Sequence, residues 1–454
     1  GVRLVGSESC IRDRYWVVDI TGTKLAKDGA ISAAAGVFVS TIVLFPIGMY
    51  FTWKAINDSA LFNTDNFGSW WRKIKSKFMS TFRKTRIVYM GTPEFAVAPL
   101  KALLDAKYNV VGVVTVADKP SGRGLKVNES AVKKFAVENN IPVLQPVKLK
   151  DPEFLKQLAD FKADLFVVVA FRMLPEEVWA MPKLGTFNLH AALLPQYRGA
   201  APINWAVING EKMSGVTTFM IDKDIDTGGI MLRQECRISE TDTAGDLHDK
   251  LMPIGADLVV QTVEGIIEKN IETRVQRSFI QGSEVLKPAP KLTRELCHID
   301  WNDSTRSIYN LIRGLSPYPA AFTELVPAAG GAPVQLKIYA GAKVEGDEFR
   351  SMLVRCGVGD GISSSPSHGD QNGVDDNLAV NAKEGHTSSN IKPGQILSDG
   401  KSFFAITTTE GAISLTDLQL AGKKRMEVKP FLAGFRNPSE WKTTLGTSKE
   451  EIAK

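Results

Sequence analysis

Residues 187–205 read FNLHAALLPQYRGAAPINW, a short apolar strand pattern that ends in polar side chains and a chain reversal rich in small residues. Side chains on a strand alternate between two faces, so Asn188 and His190 are predicted to share one face at the strand's end. In open α/β sheets, ligands bind beyond the carboxyl ends of the strands. The stretch therefore predicts both a sheet and the edge of that sheet where chemistry takes place.

The residues that follow complete a candidate site. Between Pro195 and Pro202, glycine, alanine and proline leave room for a flat ligand to approach the backbone. Further along, IDKDIDTGG offers the carboxylate of Asp226. An amide (Asn188), an imidazole (His190) and a carboxylate are what formyl transfer to an amine requires. The alternative is a hydrogen-bonded histidine at a strand end beside a tight turn, but the length and density of the run favour catalysis.

The same residues carry a resemblance to a known family. With GTPEF at 91–95 and DTG at 226–228, the run resembles the methionyl-tRNA formyltransferases, over about Arg86 to the C terminus. RGAAPI at 198–203 is closer to the tRNA enzymes than to sugar-nucleotide or glycinamide-ribotide formyltransferases. One departure is Ala192, where many members carry serine. The resemblance implies a monomeric cytoplasmic enzyme that moves a formyl group from 10-formyltetrahydrofolate to the amino group of initiator methionyl-tRNA.

The resemblance also implies a role for each site residue. Formyl transfer passes through a tetrahedral oxyanion, which needs hydrogen-bond donors aimed at the developing charge. Asn188 would donate from its amide, and His190 would move protons between the amine and the leaving nitrogen. Asp226 would hold the imidazole ring and favour its protonated form. The residues expected to meet the folate, largely through backbone, are Ala192, Leu193, Leu194 and Pro195.

Length and composition indicate a globular protein of two or three domains. The chain has 454 residues, of which 44% are hydrophobic and 23% charged, and single cores rarely grow to that size. The net charge of +5 misleads, because residues 1–86 hold 13 Lys and Arg against 6 acids. Overall charge therefore does not predict nucleic-acid binding. Four scattered cysteines and five unclustered histidines predict neither a disulfide framework nor a metal site.

The N-terminal segment has a different character. Residues 31–53 form a stretch of 23 residues without a charge, which is long enough to span a bilayer; a buried core helix is the alternative. The excess of Lys and Arg after it predicts a cytoplasmic C-terminal side, and residues 68–86 are typical of a basic amphipathic helix. Residues 1–78 resemble the C-terminal end of lipopolysaccharide-export permeases of the LptF/LptG type. We expect a fused or misjoined segment, and an enzyme that starts at Met79.

From Arg86 onward, short apolar strands alternate with helices, which is typical of a parallel sheet. The predicted strands are 86–90, 109–115, 164–170, 185–190 and 215–221, and a helix over 243–268 closes the domain. The sequence therefore predicts a Rossmann-like α/β formyltransferase domain over residues 86–283.

Residues 284–454 change to short alternating strands, which predict a small β-barrel. The resemblance implies that this barrel is an OB-like, tRNA-binding domain. A stretch at about 346–391 is rich in Gly, Ser, Asp and Asn. Because it is too polar to bury, we predict a disordered insertion there.

Two basic clusters are candidates for contact with tRNA phosphates. The first lies in a flexible loop at 118–128, where the family uses a loop to enter the acceptor arm. The second lies near the C terminus. On charge alone, either cluster could be a solvated surface. The predicted tRNA-binding residues are Lys119, Arg123, Lys126, Lys423, Lys424 and Arg425.

Two other classes of function stay open. A sugar-nucleotide or ribotide formyltransferase would share the catalytic domain, although RGAAPI and the basic C-terminal domain count against it. A membrane transport or scaffold protein would account for residues 1–78, but one spanning helix cannot line a transport path.

Overall fold

This computed structural model describes residues 49, 84–121, 126–280, 282–358, 392–435, 437–444 and 446. The chain divides into two compact units, Gly1–Met79 and Ser80–Lys454. The predicted spanning stretch, apart from residue 49, and almost all of the predicted basic segment lie outside the described residues. Within the described part of the chain, no helix is both long enough and apolar enough to cross a membrane.

The first domain is an α/β sheet with helices on both faces. Its described strands are β1 (Arg86–Gly91), β2 (Asn109–Val114), β3 (Lys119–Ser121), β4 (Lys126–Asn128), β5 (Val143–Leu144), β6 (Leu165–Val169), β7 (Thr186–His190), β8 (Met213–Met220) and β9 (Ile230–Arg237). Its described helices are α1 (Val97–Asp105), α2 (Ala131–Glu138), α3 (Pro152–Asp160), α4 (Glu176–Trp179), α5 (Pro202–Ile208) and α6 (Ala244–Glu268). The main sheet has the order β5-β2-β1-β6-β7-β8-β9.

Alternation along β1 shows why the domain has two apolar layers. Ile87 and Tyr89 pack into the cluster that includes α1 and α6, whereas Val88 and Met90 pack into the cluster that includes α3. All four side chains are fully buried. A strand without a polar face must be covered on both sides, as in parallel sheets.

The predicted parallel sheet is confirmed for β2, β1, β6 and β7 and wrong for the strand at 215–221. A further parallel strand, β5, was not predicted. Here β8 runs antiparallel to β7, and β9 antiparallel to β8. The chain between β7 and β8 contains only α5, a helix of 7 residues that rises about 10 Å. Because such a helix is too short to carry the chain back across the sheet, β8 starts at the edge where β7 ends.

The closing helix α6 confirms the prediction over 243–268. It starts with a capping box, in which the Thr243 hydroxyl accepts from the Asp246 backbone N–H at 3.1 Å. The Asp246 carboxylate in turn accepts from the Thr243 backbone N–H at 2.8 Å. These two bonds satisfy N–H groups that the first turn of a helix leaves without partners.

The second domain is a curled antiparallel sheet. Its described strands are β10 (Ala321–Pro327), β11 (Val334–Val344), β12 (Ile396–Ser398), β13 (Phe404–Thr407), β14 (Ala412–Leu420), β15 (Met426–Glu427) and β16 (Trp441–Thr443), with helices α7 (Arg294–Cys297), α8 (Thr305–Leu315), α9 (Gly346–Arg355) and α10 (Val428–Gly434). The order is β12-β13-β14-β11-β10-β16, and β15 pairs with β14. The Thr443 hydroxyl donates to the Gly394 carbonyl at 2.6 Å, which joins the two ends of the sheet into a nearly closed barrel.

The prediction of disorder at 346–391 is wrong for its first part, because residues 346–355 form α9. Met352 and Leu353 are buried in a small cluster with Val344 and Phe403. The composition of the stretch is polar, but its few apolar residues fall at helical spacing and cover one end of the barrel. Residues 359–391 lie outside the described residues.

The two domains pack closely through α5 and α8. The Asn204 amide donates to the Gly314 carbonyl at 2.8 Å, and a β-carbon on Gly314 would lie 2.5 Å from the Ile208 side chain. The segment before α7 also pairs with the loop after β7, since Tyr197 donates to the Lys287 carbonyl at 2.7 Å and Ala289 donates to the Arg198 carbonyl at 2.8 Å. Residues beyond the predicted boundary at 283 therefore contact the first domain directly.

The glycine of the DTG motif is predicted to be required for folding of the 221–229 loop. A β-carbon on Gly228 would lie 1.7 Å from the Met220 carbonyl oxygen, so Gly228→Ala should destabilise the protein by about 1–3 kcal/mol. Gly434 has no heavy atom within 4 Å of its ideal β-carbon, and Gly434→Ala should stay within about 0.5 kcal/mol of wild type. Denaturant midpoints measure both variants, and equal midpoints would contradict the prediction.

Candidate active site

A cavity of about 660 Å³ opens beyond the carboxyl ends of β6 and β7, and Asn188, His190 and Asp226 all line it. Asn188 pairs with Phe219 and His190 with Thr217 across β7 and β8, so the amide and the imidazole lie on one face, as the alternation predicts. The carboxylate arrives from the 221–229 loop between β8 and β9. The structure thus brings the three predicted catalytic residues to one cavity.

The His190 ring is held by a backbone carbonyl that the sequence analysis did not identify. The ring is 5% exposed, and its Nε2 lies 2.7 Å from the Tyr197 carbonyl oxygen. Since a carbonyl only accepts, Nε2 carries the hydrogen, and the neutral ring keeps its lone pair on Nδ1. Nδ1 faces Asp226, at 3.9 Å from Oδ2. In the neutral form His190 therefore has a defined tautomer, with the lone pair of Nδ1 turned toward the Asp226 carboxylate.

Asp226 is oriented by backbone as well. Its Oδ2 accepts from the Gly199 N–H at 3.0 Å, and its φ of 54° lies in the left-handed region, which aspartate tolerates better than most residues. The distance of 3.9 Å to Nδ1 is longer than a hydrogen bond but within ion-pair range. Asp226 is thus placed to stabilise a protonated imidazole, while the Tyr197 carbonyl orients the ring.

Tyr197 is itself firmly anchored. Its hydroxyl donates to the Glu211 carboxylate at 2.6 Å, and its backbone N–H donates to Lys287. Burial raises the pKa of the Tyr197 phenol, and the Glu211 contact raises it further. The phenol therefore stays neutral and continues to donate, which keeps the carbonyl next to His190 in place.

The cavity continues over the edge of the sheet to both of its faces. On one face the lining is an apolar wall of Val168, Phe171, Leu174, Phe219 and Ile221. On the other face it includes Phe95, in the 3-10 helix before α1, and His248, in the second turn of α6. The Phe95 and His248 ring centroids are 5.3 Å apart. No sequence motif marked these residues, although ligands of open α/β sheets bind beyond the carboxyl ends of the strands, which points to the residues after β1 and β6.

Comparisons with known proteins agree with this geometry. The family model for formyl transferase matches residues 84–263, and the model for its C-terminal domain matches residues 291–360 and 376–436. A methionyl-tRNA formyltransferase of Bacteroides fragilis is 46% identical over 350 residues, which are 77% of this chain and 95% of that protein. One of Parabacteroides distasonis is 46% identical over 357 residues, 78% of this chain and 97% of that protein.

The chain belongs to the methionyl-tRNA formyltransferase family. Within this formyltransferase, the two family matches coincide with the α/β sheet and with the barrel. The matches begin at residue 84, and the permease resemblance of residues 1–78 finds no support in the comparisons.

The four residues predicted to meet the folate lie beside the cavity of the formyltransferase rather than in its lining. Ala192 and Leu194 are fully buried, whereas Leu193 and Pro195 line a separate cavity of about 960 Å³. The Thr217 hydroxyl donates to the Ala192 carbonyl at 2.6 Å and accepts from the Leu194 N–H at 3.1 Å. These contacts hold the loop after His190 through backbone atoms. They do not use the side chain of residue 192, so alanine fits there.

The predicted basic loop at 118–128 is a hairpin in its described part, since β3 and β4 pair antiparallel. Lys119 and Lys126 belong to these two strands, and Arg123 lies outside the described residues. At the base of the hairpin, Asp118 pairs with Lys133, and this contact lowers the pKa of the Asp118 carboxyl. The sequence predicted a flexible loop here because these two strands have only three residues each and few apolar side chains. The contact between Asp118 and Lys133 joins the start of the hairpin to α2.

The second predicted basic cluster, Lys423 to Arg425, lies in the exposed turn between β14 and β15. Arg425 pairs with Asp417, and its guanidinium lies 4.2 Å from the centroid of the Tyr339 ring. The hydrogen bond to Asp417 raises the pKa of Arg425. Much of the Arg425 charge is therefore already engaged within the protein.

Among the residues that the structure describes, no group of three or more His, Cys, Asp or Glu is placed to hold a metal ion.

Proposed function

We propose that this protein transfers the formyl group of 10-formyltetrahydrofolate to the free amino group of methionyl-tRNA(fMet), giving N-formylmethionyl-tRNA for translation initiation in the cytoplasm. The observation that carries the proposal is the convergence of Asn188, His190 and Asp226 in one cavity. Relatives that carry the name methionyl-tRNA formyltransferase match most of the chain and support the choice of substrates.

The reaction forms one carbon–nitrogen bond and breaks another. The methionyl nitrogen attacks the formyl carbon, and the carbonyl electron pair moves onto oxygen to give a tetrahedral oxyanion. When that pair returns, the bond from carbon to N10 of the folate breaks. One proton must move from the attacking nitrogen to N10, so the enzyme needs a donor for the oxyanion and a group that takes up and returns a proton.

The three residues fit these needs. The Asn188 amide donates a hydrogen bond to the oxyanion. His190 has its hydrogen on Nε2 toward Tyr197, so Nδ1 is available to take the proton from the amine and pass it to N10. While the ring carries that proton, the Asp226 carboxylate at 3.9 Å stabilises the positive charge.

The apolar wall of the cavity supports a site for the flat ring system of the folate. Val168, Phe171, Phe219 and Ile221 lie next to Asn188 in the cavity lining, and ligand sites of this kind combine apolar walls with a few placed polar groups. We propose that Ala192, Leu193, Leu194 and Pro195 contribute by fixing the loop after His190.

The barrel and the β3–β4 hairpin are proposed to hold the tRNA. An OB-like barrel suits the nearly closed sheet of the second domain, and the Lys423–Arg425 turn gives it an exposed basic surface. The sequence of the 118–128 segment supplies Lys119, Arg123 and Lys126 for this contact, and its described strands β3 and β4 pair antiparallel. Contacts of this kind position a nucleic acid through its phosphates without reading its sequence.

Replacement of each catalytic residue should lower turnover strongly. Asn188→Ala, His190→Ala and Asp226→Ala should each reduce kcat by at least ~10², the scale of one lost transition-state contact. Asp224→Ala is the matched control, because this exposed carboxylate lies on the same loop, and its kcat should stay within about tenfold of wild type. Steady-state formylation of methionyl-tRNA measures all four, and near-normal turnover in His190→Ala would refute the assignment.

Removal of the basic turn should weaken the salt dependence of the reaction. Changing Lys423, Lys424 and Arg425 to Gln should reduce the slope of log kcat/KM against log salt by about 1–3, with the smallest share from Arg425 because it is paired with Asp417. The control changes to Gln three lysines that precede β2, β6 and β7, at the edge of the first-domain sheet opposite to the cavity. These are Lys107, Lys162 and Lys183. An unchanged slope in the first variant would make the turn a solvated surface.

Arg123→Ala should likewise weaken use of methionyl-tRNA, with folate KM unchanged.

Residues 1–78 are proposed to be dispensable for formyl transfer, whatever their relation to a membrane or a permease. The enzyme is also proposed to be a monomer. The division of the chain after Met79 and the start of β1 at Arg86 support this, because every strand described in the sheet lies beyond the cut. A chain that starts at Met79 should remain in the supernatant after ultracentrifugation and formylate methionyl-tRNA at the full rate. Aggregation or lost activity would show that the segment belongs to the working enzyme.

A further inference from the structure

Gln276 is a buried amide at the junction of the two domains. It begins the short 3-10 helix Gln276–Phe279 that follows α6, and it is 2% exposed. Its Nε2 donates to the Asp226 carbonyl at 2.8 Å and to the Gly228 carbonyl at 2.9 Å. Its Oε1 accepts from Arg198, at 3.0 Å from Nε and 2.6 Å from Nη2. Both donor hydrogens and the acceptor oxygen are thus used.

These bonds join the two loops that carry the catalytic groups. On one side is Arg198, which lies between Tyr197 and Gly199 in the chain. The Tyr197 carbonyl contacts the His190 ring, and the Gly199 N–H donates to the Asp226 carboxylate. On the other side is the backbone of the 221–229 loop, on both sides of Thr227. Three consecutive residues, 197–199, therefore contact His190, Gln276 and Asp226 in turn.

The other side-chain hydrogen bonds of the Asp226 loop stay within the loop: Thr227 Oγ1 donates to the Asp222 carboxylate at 2.8 Å and to the Asp224 carbonyl at 3.3 Å. Residues 223–225 are exposed, and Asp226 sits in a left-handed conformation that a loop holds only when its surroundings enforce it. Two hydrogen bonds from one buried amide to the Asp226 and Gly228 carbonyls supply that enforcement. A shift of the loop would move the carboxylate away from both Gly199 and His190.

We propose that Gln276 is a positioning residue for formyl transfer: it sets the Asp226 carboxylate at its distance from the His190 ring, with Arg198 holding the Gln276 amide in the required orientation. This inference rests on the proposed function, because it assumes that Asp226 acts in catalysis. The donation from Nε2 is the decisive part, and the contact with Arg198 is secondary.

Two substitutions separate these parts. Gln276→Glu can still accept from Arg198 but cannot donate to the two carbonyls when ionised, and it should lower kcat by about 10- to 100-fold, the cost of a displaced catalytic group. Arg198→Met leaves the donation in place and should lower kcat less. For both variants the KM of methionyl-tRNA should stay within about threefold. Gln234→Leu, an exposed glutamine on β9, is the matched control and should match wild type.

A double-mutant comparison distinguishes positioning from general stabilisation. If Gln276 acts through Asp226, then Gln276→Leu should lower kcat in the wild-type background and have no further effect in the Asp226→Ala background. Equal losses in both backgrounds would overturn the inference and make Gln276 a purely structural residue. An active Asp226→Ala variant would instead refute the catalytic assignment of Asp226.

Amide hydrogen exchange at Gly199 gives a readout that does not depend on activity. The Gly199 N–H is protected by the Asp226 carboxylate, so Gln276→Leu and Gln276→Glu should speed its exchange, while exchange of the β6 amides stays slow. Unchanged protection at Gly199 in both variants would overturn the inference even if their activity fell. Faster exchange throughout the sheet in Gln276→Leu would indicate unfolding, and Gln276→Glu then decides the question.

Discussion

The hydrogen bond from His190 Nε2 to the Tyr197 carbonyl is the contact on which the site depends. It fixes which ring nitrogen is basic, and so which way protons can move. The bond exists only because the chain returns to His190 within seven residues, through the buried loop that Thr217 holds against β8. The return runs through residues 191–196, where Ala192, Leu194 and Pro195 are buried. The chain after His190 thus presents one carbonyl, that of Tyr197, to His190 and one N–H, that of Gly199, to Asp226.

The position of Asn188 and His190 was predictable because it follows from a local rule. Side chains two apart on a strand share a face, and the end of a buried strand lies at the edge of a sheet. The approach of Asp226 was not predictable in this way. It depends on β8 running antiparallel to β7, on the close contact at Gly228, and on Gln276, fifty residues further along the chain. The IDKDIDTGG stretch and the family resemblance marked Asp226 as a candidate, but neither indicated how its carboxylate reaches His190.

Elsewhere, prediction from the average composition of a segment failed where a few apolar residues determine its structure. Residues 346–391 are polar as a whole, yet Met352 and Leu353 are enough to dock α9 on the barrel. For the loop residues Ala192 to Pro195, the family resemblance implied contact with the folate largely through backbone. In the structure their side chains turn into the core and toward another cavity. These apolar side chains therefore pack the loop, whereas Asn188 and His190 of the same stretch line the cavity.

The pairing of residues 287–289 with the loop after His190 bears on how the enzyme matures on the ribosome. Domains generally fold from the N terminus as they emerge, and every strand of the α/β sheet precedes residue 238. The sheet can therefore assemble while the active-site loop still lacks its partner segment, and while Gln276 is not yet in place. The scaffold forms early in synthesis, and the catalytic arrangement is completed only after the first residues of the following domain have left the exit tunnel.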